Sequence, residues 1–156
     1  MNTFEKSLKT LKELFGKDYQ FALATSKDNI PSVRIVDTFY DDGSFYIVTY
    51  GKSQKTIEVE SNCNVSLCNE LYRFSGKAYN IGHPLKEENK EIRDELIKAF
   101  KPWYFAHNDE ADENMCYVKV ELETGFIYKD GIGYKLDFKS KEASEFPFDF
   151  NIVEIN

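Results

Sequence analysis

One stretch constrains the fold more than any other: residues 32–55, SVRIVDTFYDDGSFYIVTYGKSQK. Residues 32–40 and 44–50 are rich in β-branched and aromatic side chains, and Asp41-Asp42-Gly43 between them is a turn signal. Strand, tight turn and strand in so short a span dictate an antiparallel hairpin. With Asp42-Gly43 as the turn residues, Arg34 faces Gly51 and Val36 faces Thr49. Alternation then puts Arg34, Val36 and Thr49 on one face. A three-residue turn would slip that register.

The second strand runs into Gly51-Lys52, a bend, and then Ser53-Gln54-Lys55-Thr56, which opens a segment of helical spacing through Ile57, Glu58, Val59 and Glu60. A helix N-terminus offers free backbone N–H groups and a partial positive charge. Ser53 is suited to cap that helix or to donate its hydroxyl to an anion. Lys55 adds a point charge, and Arg34 a planar fork. The hairpin thus gathers one of only three arginines with Thr49, Ser53 and Lys55. That is the chemistry of an anion site, with the phosphate of a cofactor as the leading anion. The plainer alternative is a capped surface helix with Arg34 and Lys55 merely solvated.

Composition narrows the class. Thirteen Phe and ten Tyr in 156 residues suit a β-rich protein with half-buried faces. The length fits one domain with a real core. A net charge of −7 argues against general nucleic-acid binding, which needs a basic footprint. The N-terminus, MNTFEKSLKTLKELFG, is amphipathic rather than an apolar leader, and no apolar run reaches membrane-spanning length. Three cysteines form an odd set, and Cys63 and Cys68, five apart in one strand, point to opposite faces. Free, mostly buried thiols in a reducing, cytoplasmic setting are expected. Two histidines and scattered cysteines show no ligand spacing, so no metal site is expected.

The rest of the chain reads as a small barrel. An N-terminal helix is expected over residues 1–17, marked by Phe4, Leu8, Leu11 and Phe15. Strands are expected at Tyr19–Thr25, in the hairpin, at Asn64–Glu70, Tyr72–Ile81, Met115–Glu123, Gly125–Lys129 and Ile132–Phe138. Helices are expected at 53–61 and Glu87–Phe100, with a polar, aromatic-studded loop at Lys101–Asn114. The tail, residues 139–156, carries alternating Phe and is free to cover a surface or a partner chain. No linker or repeat interrupts the chain, so residues 1–156 read as one domain. The fold class is mainly β: a six- to seven-stranded antiparallel barrel with flanking helices.

This order of motifs resembles the FMN-binding split-barrel proteins, relatives of pyridoxine/pyridoxamine 5′-phosphate oxidase. The matching segments are RIV, DDG and VTYGKSQK, then NVSLC at Asn64–Cys68, FSGKA at Phe74–Ala78 and the hairpin Val118–Lys129. The resemblance spans roughly residues 15–138. It implies a homodimer with FMN in grooves at the subunit interface. It assigns Arg34, Ser53 and Lys55 to the flavin phosphate, with Gln54 standing where the oxidases often carry arginine. It places the backbone of Ile35 and Val36 beside the isoalloxazine, and Val48 and Thr49 near the flavin.

Two departures shape the functional expectation. The C-terminal R-x-H that binds substrate in the oxidases is missing from FPFDFNIVEIN, and only Arg34, Arg73 and Arg93 exist. Vitamin B6 phosphate is therefore not the expected substrate. The chain looks more like the family's small stress-protein or nitroreductase-like branch, and FMN chemistry on a small planar acceptor is expected. In the loop KPWYFAHND, Trp103 or Tyr104 could stack on the flavin or substrate, and His107 could donate a proton. The packing alternative for Trp103 and Tyr104 is contact between the helix 87–100 and the barrel. For His107 it is plain exposure. No residue is assigned as catalytic. The other readings are a non-catalytic flavin sensor or storage module, and a haem- or deazaflavin-binding relative.

Overall fold

The computed structural model describes residues 1–149. The first helix, α1 (Thr3–Phe15), is fixed at its start by a reciprocal cap: Asn2 Oδ1 accepts from Glu5 N at 2.8 Å, and Glu5 Oε2 accepts from Asn2 N at 2.9 Å. Its apolar stripe ends in Leu11 and Phe15, both fully buried. Phe15 meets Phe21, Phe45, Tyr72 and Phe74 at ring separations of 5.1–5.8 Å, so α1 plugs the barrel with an aromatic cluster.

Eight antiparallel strands follow: β1 (Tyr19–Lys27), β2 (Ile30–Asp41), β3 (Ser44–Tyr50), β4 (Asn64–Asn69), β5 (Tyr72–Gly82), β6 (Met115–Lys129), β7 (Ile132–Asp137) and β8 (Glu142–Pro147). Their order is β3-β2-β1-β4-β5-β6-β7-β8, and β3 also pairs with β6. Six strands therefore close on themselves and two extend beyond the closure. The expected separate strands Met115–Glu123 and Gly125–Lys129 are one long strand. On one edge β6 pairs first with β3, up to Glu121, and then with β7 from Thr124. One uninterrupted strand lets the same sheet both close and continue.

The central hairpin forms, but only at its tip. Asp42 and Gly43 have φ of +41° and +82°, the backbone of a two-residue turn. Pairing runs Asp41↔Ser44, Tyr40↔Phe45 and Phe39↔Tyr46, and stops. Arg34 does not face Gly51, and Val36 does not face Thr49. Arg34 lies opposite Leu23 of β1, and Thr49 opposite Cys116 of β6. Each strand keeps a long register with its outer neighbour, and the coiling that closes a barrel pulls the two apart beyond the turn. From Ile30 to Thr38, β2 is paired on one side only.

Helix α2 (Gln54–Ser61) packs on β1 and β5 and hydrogen-bonds both sides of this opening, Glu58 to Arg34 of β2 and Lys55 to Thr49 of β3. The expected helix Glu87–Phe100 is a 3-10 turn at Glu87–Asn89 followed by α3 (Lys90–Ala99), and the loop after it holds a single turn, α4 (Tyr104–His107). Together α3 and α4 bury a second cluster of Phe39, Leu96, Phe100, Tyr104, Met115 and Tyr117. Part of the C-terminal segment is ordered as β8, and α1 lies against it with Lys6 paired to Glu145 at 3.0 Å. The remainder of the expected covering tail, residues 150–156, lies outside the described residues. Among the described residues no helix is long and apolar enough to cross a membrane.

Candidate functional site

The opening between β2 and β3 brings Arg34 and Lys55 near each other. On β2 the even-numbered side chains turn inward: Val36 and Thr38 are buried and Arg34 is partly so. On β3 the inward set is Phe45, Ile47 and Thr49. Although β2 and β3 are no longer paired here, Arg34 and Thr49 still look into the same gap. Helix α2 hydrogen-bonds both sides of it and is started by Ser53, whose Oγ accepts from Thr56 N at 3.4 Å.

Lys55 reaches back from the first turn of α2 and donates to Thr49 Oγ1 at 3.0 Å. Thr49 Oγ1 is also 3.4 Å from Ser53 Oγ. Burial pulls the Lys55 ammonium below the usual lysine value, and the nearby Arg34 guanidinium pulls the same way. Among the described residues no carboxylate lies within ion-pair distance of Lys55. Lys55 is thus a half-buried cation that, among the described residues, has a hydroxyl hydrogen-bond partner and no carboxylate, with Arg34 close enough to be felt.

Arg34 is held rigidly by a set of partners that reading the sequence did not reveal. Its Nη1 donates to Leu23 O at 3.2 Å and Thr25 Oγ1 at 2.6 Å, and its Nη2 donates to Glu58 Oε2 at 3.2 Å. Glu58, on α2, also accepts from the Thr25 hydroxyl, from Ser32 Oγ at 3.1 Å and from Gln54 Nε2 at 3.0 Å. The Thr25 hydrogen bond foremost, with those from Ser32, Arg34 and Gln54, holds the Glu58 carboxyl below its ordinary value. Gln54 thus turns to Glu58, four residues on along the helix. The spacing of Gln54 and Glu58 places them on one helical face, which was the available clue. Nothing local says that this face points inward at Arg34.

The remaining sequence candidates separate. Ile35 points away from the barrel and is 64% exposed, as is Val33 at 69%. Val36 is buried in the core, and Val48, opposite Tyr117, packs on the second cluster. Tyr104 cannot serve the substrate face in this structure: it is fully buried and hydrogen-bonds Tyr117 Oη and Glu110. Arg93 anchors that Glu110 in turn, its Nε 2.9 Å and its Nη2 2.8 Å from the carboxylate. Trp103 stacks on Phe100 at 4.5 Å and donates to Asp18 Oδ2 at 2.8 Å. The packing alternative describes both aromatics. His107 is exposed at the end of α4. All three cysteines are free, but they are not mostly buried: Cys116 is buried, Cys63 half-buried and Cys68, near the end of β4, exposed.

The chain matches the family model for pyridoxamine 5′-phosphate oxidase over residues 7–128. Comparison with the curated proteins gives no match. Among solved structures, a NimC/NimA family protein from Clostridium acetobutylicum is 21% identical over 95% of both chains, with a TM-score of 0.56. A pyridoxamine 5′-phosphate oxidase-related, FMN-binding protein from Nostoc punctiforme is 12% identical over 96% of this chain and 98% of its own, with a TM-score of 0.56. HutZ, the haem storage protein of Vibrio cholerae, is 13% identical over 77% of this chain and 90% of its own, with a TM-score of 0.59. At these identities the likeness is one of fold.

Proposed function

Because the chain belongs to the pyridoxamine 5′-phosphate oxidase family, we propose that it is a flavoprotein, binding FMN by its 5′-phosphate in the gap between β2 and α2. The observation that carries this is the half-buried Lys55 beside Arg34 with no carboxylate partner of its own. Thr49 and Ser53 supply hydroxyls, and the first turn of α2 supplies backbone N–H groups. Gln54, engaged with Glu58, adds no phosphate contact.

The open edge of β2 supports the rest of the reading. The edge it leaves free of β3 and the exposed Val33 and Ile35 make an apolar, hydrogen-bonding surface on the outer face beside the gap. Such an edge needs a cover. A flavin ring along Ile35 and Val36, backed by a second copy of the chain, provides one, and the functional unit is a homodimer with the flavin at its interface. A bound flavin would supply hydride chemistry. The chain would fix the phosphate, align the ring along β2 and exclude water.

In this reading the acceptor is a small planar molecule, because three arginines leave few cations for a second phosphate pocket. A haem pocket has less support. His83 has both ring nitrogens occupied, by Asp112 O at 3.2 Å and by Leu85 N at 3.1 Å, and His107 stands exposed on α4.

The test is the visible spectrum of the freshly purified chain with mass analysis of any released cofactor. A flavin spectrum is expected, and a Soret band would overturn the reading. Anaerobic bleaching by NADH or NADPH, followed by reoxidation with a quinone or nitroaromatic, supports an oxidoreductase. A flavin that never bleaches supports a storage or sensing role. Sedimentation is expected to show a dimer.

A further inference from the structure

The carboxylate beside the anion site has no role in gripping phosphate, yet it is the most fully satisfied polar group there. Glu58 takes hydrogen bonds from Thr25, Ser32, Arg34 and Gln54. Four donors from three elements keep it ionised and fixed in place. Through Nη2 it claims part of the guanidinium, and Nη1 is committed to Leu23 O and Thr25. Among the described residues, that leaves Nε–H and the second Nη2 proton of Arg34 for a ligand.

Resting on the flavin reading above, we infer that Glu58 sets the charge of the phosphoryl group this site accepts, favouring a singly charged phosphoryl over the dianion of a phosphate monoester. Among the described residues, the charged side chains hydrogen-bonded at the gap are Arg34 on β2 and Lys55 and Glu58 on α2, a net of one positive charge. Cys116 on β6 faces Lys55 as a neutral thiol, its value raised to about 11 by burial, and Glu60 acts on that thiol from α2. A monoanion completes the balance. A dianion leaves one negative charge facing Glu58 across a single guanidinium, in a place too enclosed for water to screen it fully. The ligand class is therefore a flavin whose phosphate is esterified, or FMN in its singly ionised form.

Fluorescence titrations of the whole chain at low salt would use riboflavin, FMN and the methyl ester of FMN, which carries one charge at every working pH. The second ionisation of a phosphate monoester lies near pH 6. FMN is expected to bind about tenfold more tightly at pH 5.5 than at pH 8, while the ester changes little. In Glu58→Gln the FMN affinity at pH 8 should rise about tenfold and its pH dependence should shrink. A flat FMN profile in the unaltered chain, or an unchanged FMN affinity in Glu58→Gln, overturns the inference while leaving the phosphate site intact. The pH comparison decides alone if the variant does not fold. Riboflavin binding as tightly as both phosphorylated forms would overturn the phosphate site and this inference together.

Discussion

Replacing Lys55 by methionine separates what this residue does for folding from what it does for binding. Methionine keeps most of the unbranched stem and removes the charge. In the chain without ligand, Lys55 is half-buried, repelled by Arg34 and, among the described residues, hydrogen-bonded to Thr49 alone. Losing that hydrogen bond costs about 1 kcal/mol. Removing the desolvated charge and the repulsion returns a similar amount, discounted because water still reaches part of the group. The variant should therefore stay within about 1 kcal/mol of the unaltered chain in urea unfolding. The pH dependence carries a second signature. A lysine held below its unfolded value binds fewer protons when folded. Its destabilising effect is full at neutral pH and fades as pH rises toward 10.5. The unaltered chain should thus gain stability relative to Lys55→Met as pH rises toward 10.5. FMN affinity should fall by roughly 10- to 100-fold, the loss of one charge-assisted contact of about 1.5–3 kcal/mol. A variant destabilised by several kcal/mol that still binds FMN normally would refute the reasoning, since Lys55 would then be a structural residue.

Three further outcomes are expected. Gly76→Ala should destabilise by at least about 2 kcal/mol in chemical denaturation, because an added Cβ would sit 2.3 Å from Glu121 O where β5 and β6 shift register. An unchanged midpoint would mean that the bulge relaxes freely. Tyr104→Phe should cost about 1–2 kcal/mol, by depriving the buried Tyr117 hydroxyl of its partner, and leave flavin binding and reduction rates unchanged. A slowed reduction at constant stability would return Tyr104 to the substrate face. Thiol alkylation followed by mass spectrometry at pH 8 should label the exposed Cys68 first and Cys116 only on unfolding, since burial raises the latter to about 11. Early labelling of Cys116 would show that the gap beside Lys55 opens to solvent.

Much of the architecture was legible because it is written locally. The turn at Asp42-Gly43, the N-cap at Ser53 and the stripe ending in Leu11 and Phe15 depend on residues within a few positions of one another. The candidate residues Arg34, Thr49, Ser53 and Lys55 could be named for the same reason, since each sits where a strand or a helix start must present it. The continuous β6 was not legible. Whether a strand is cut at Gly125 or runs through it depends on which neighbours exchange along its edge.

Two further features were decided by tertiary structure alone. The hairpin register, extended from its turn, placed Arg34 opposite Gly51. Barrel closure gave β2 to β1 and β3 to β6 and opened the gap in which Arg34 now stands. The carboxylate of Glu58 was invisible because its four donors come from residues 25, 32, 34 and 54, which only the packing of α2 on β1, itself paired with β2, brings together. Local propensity and alternation determined which cations this protein presents. The long-range closure of the sheet determined where they meet and which counter-charge they share, because pairing partners and burial are properties of the whole barrel.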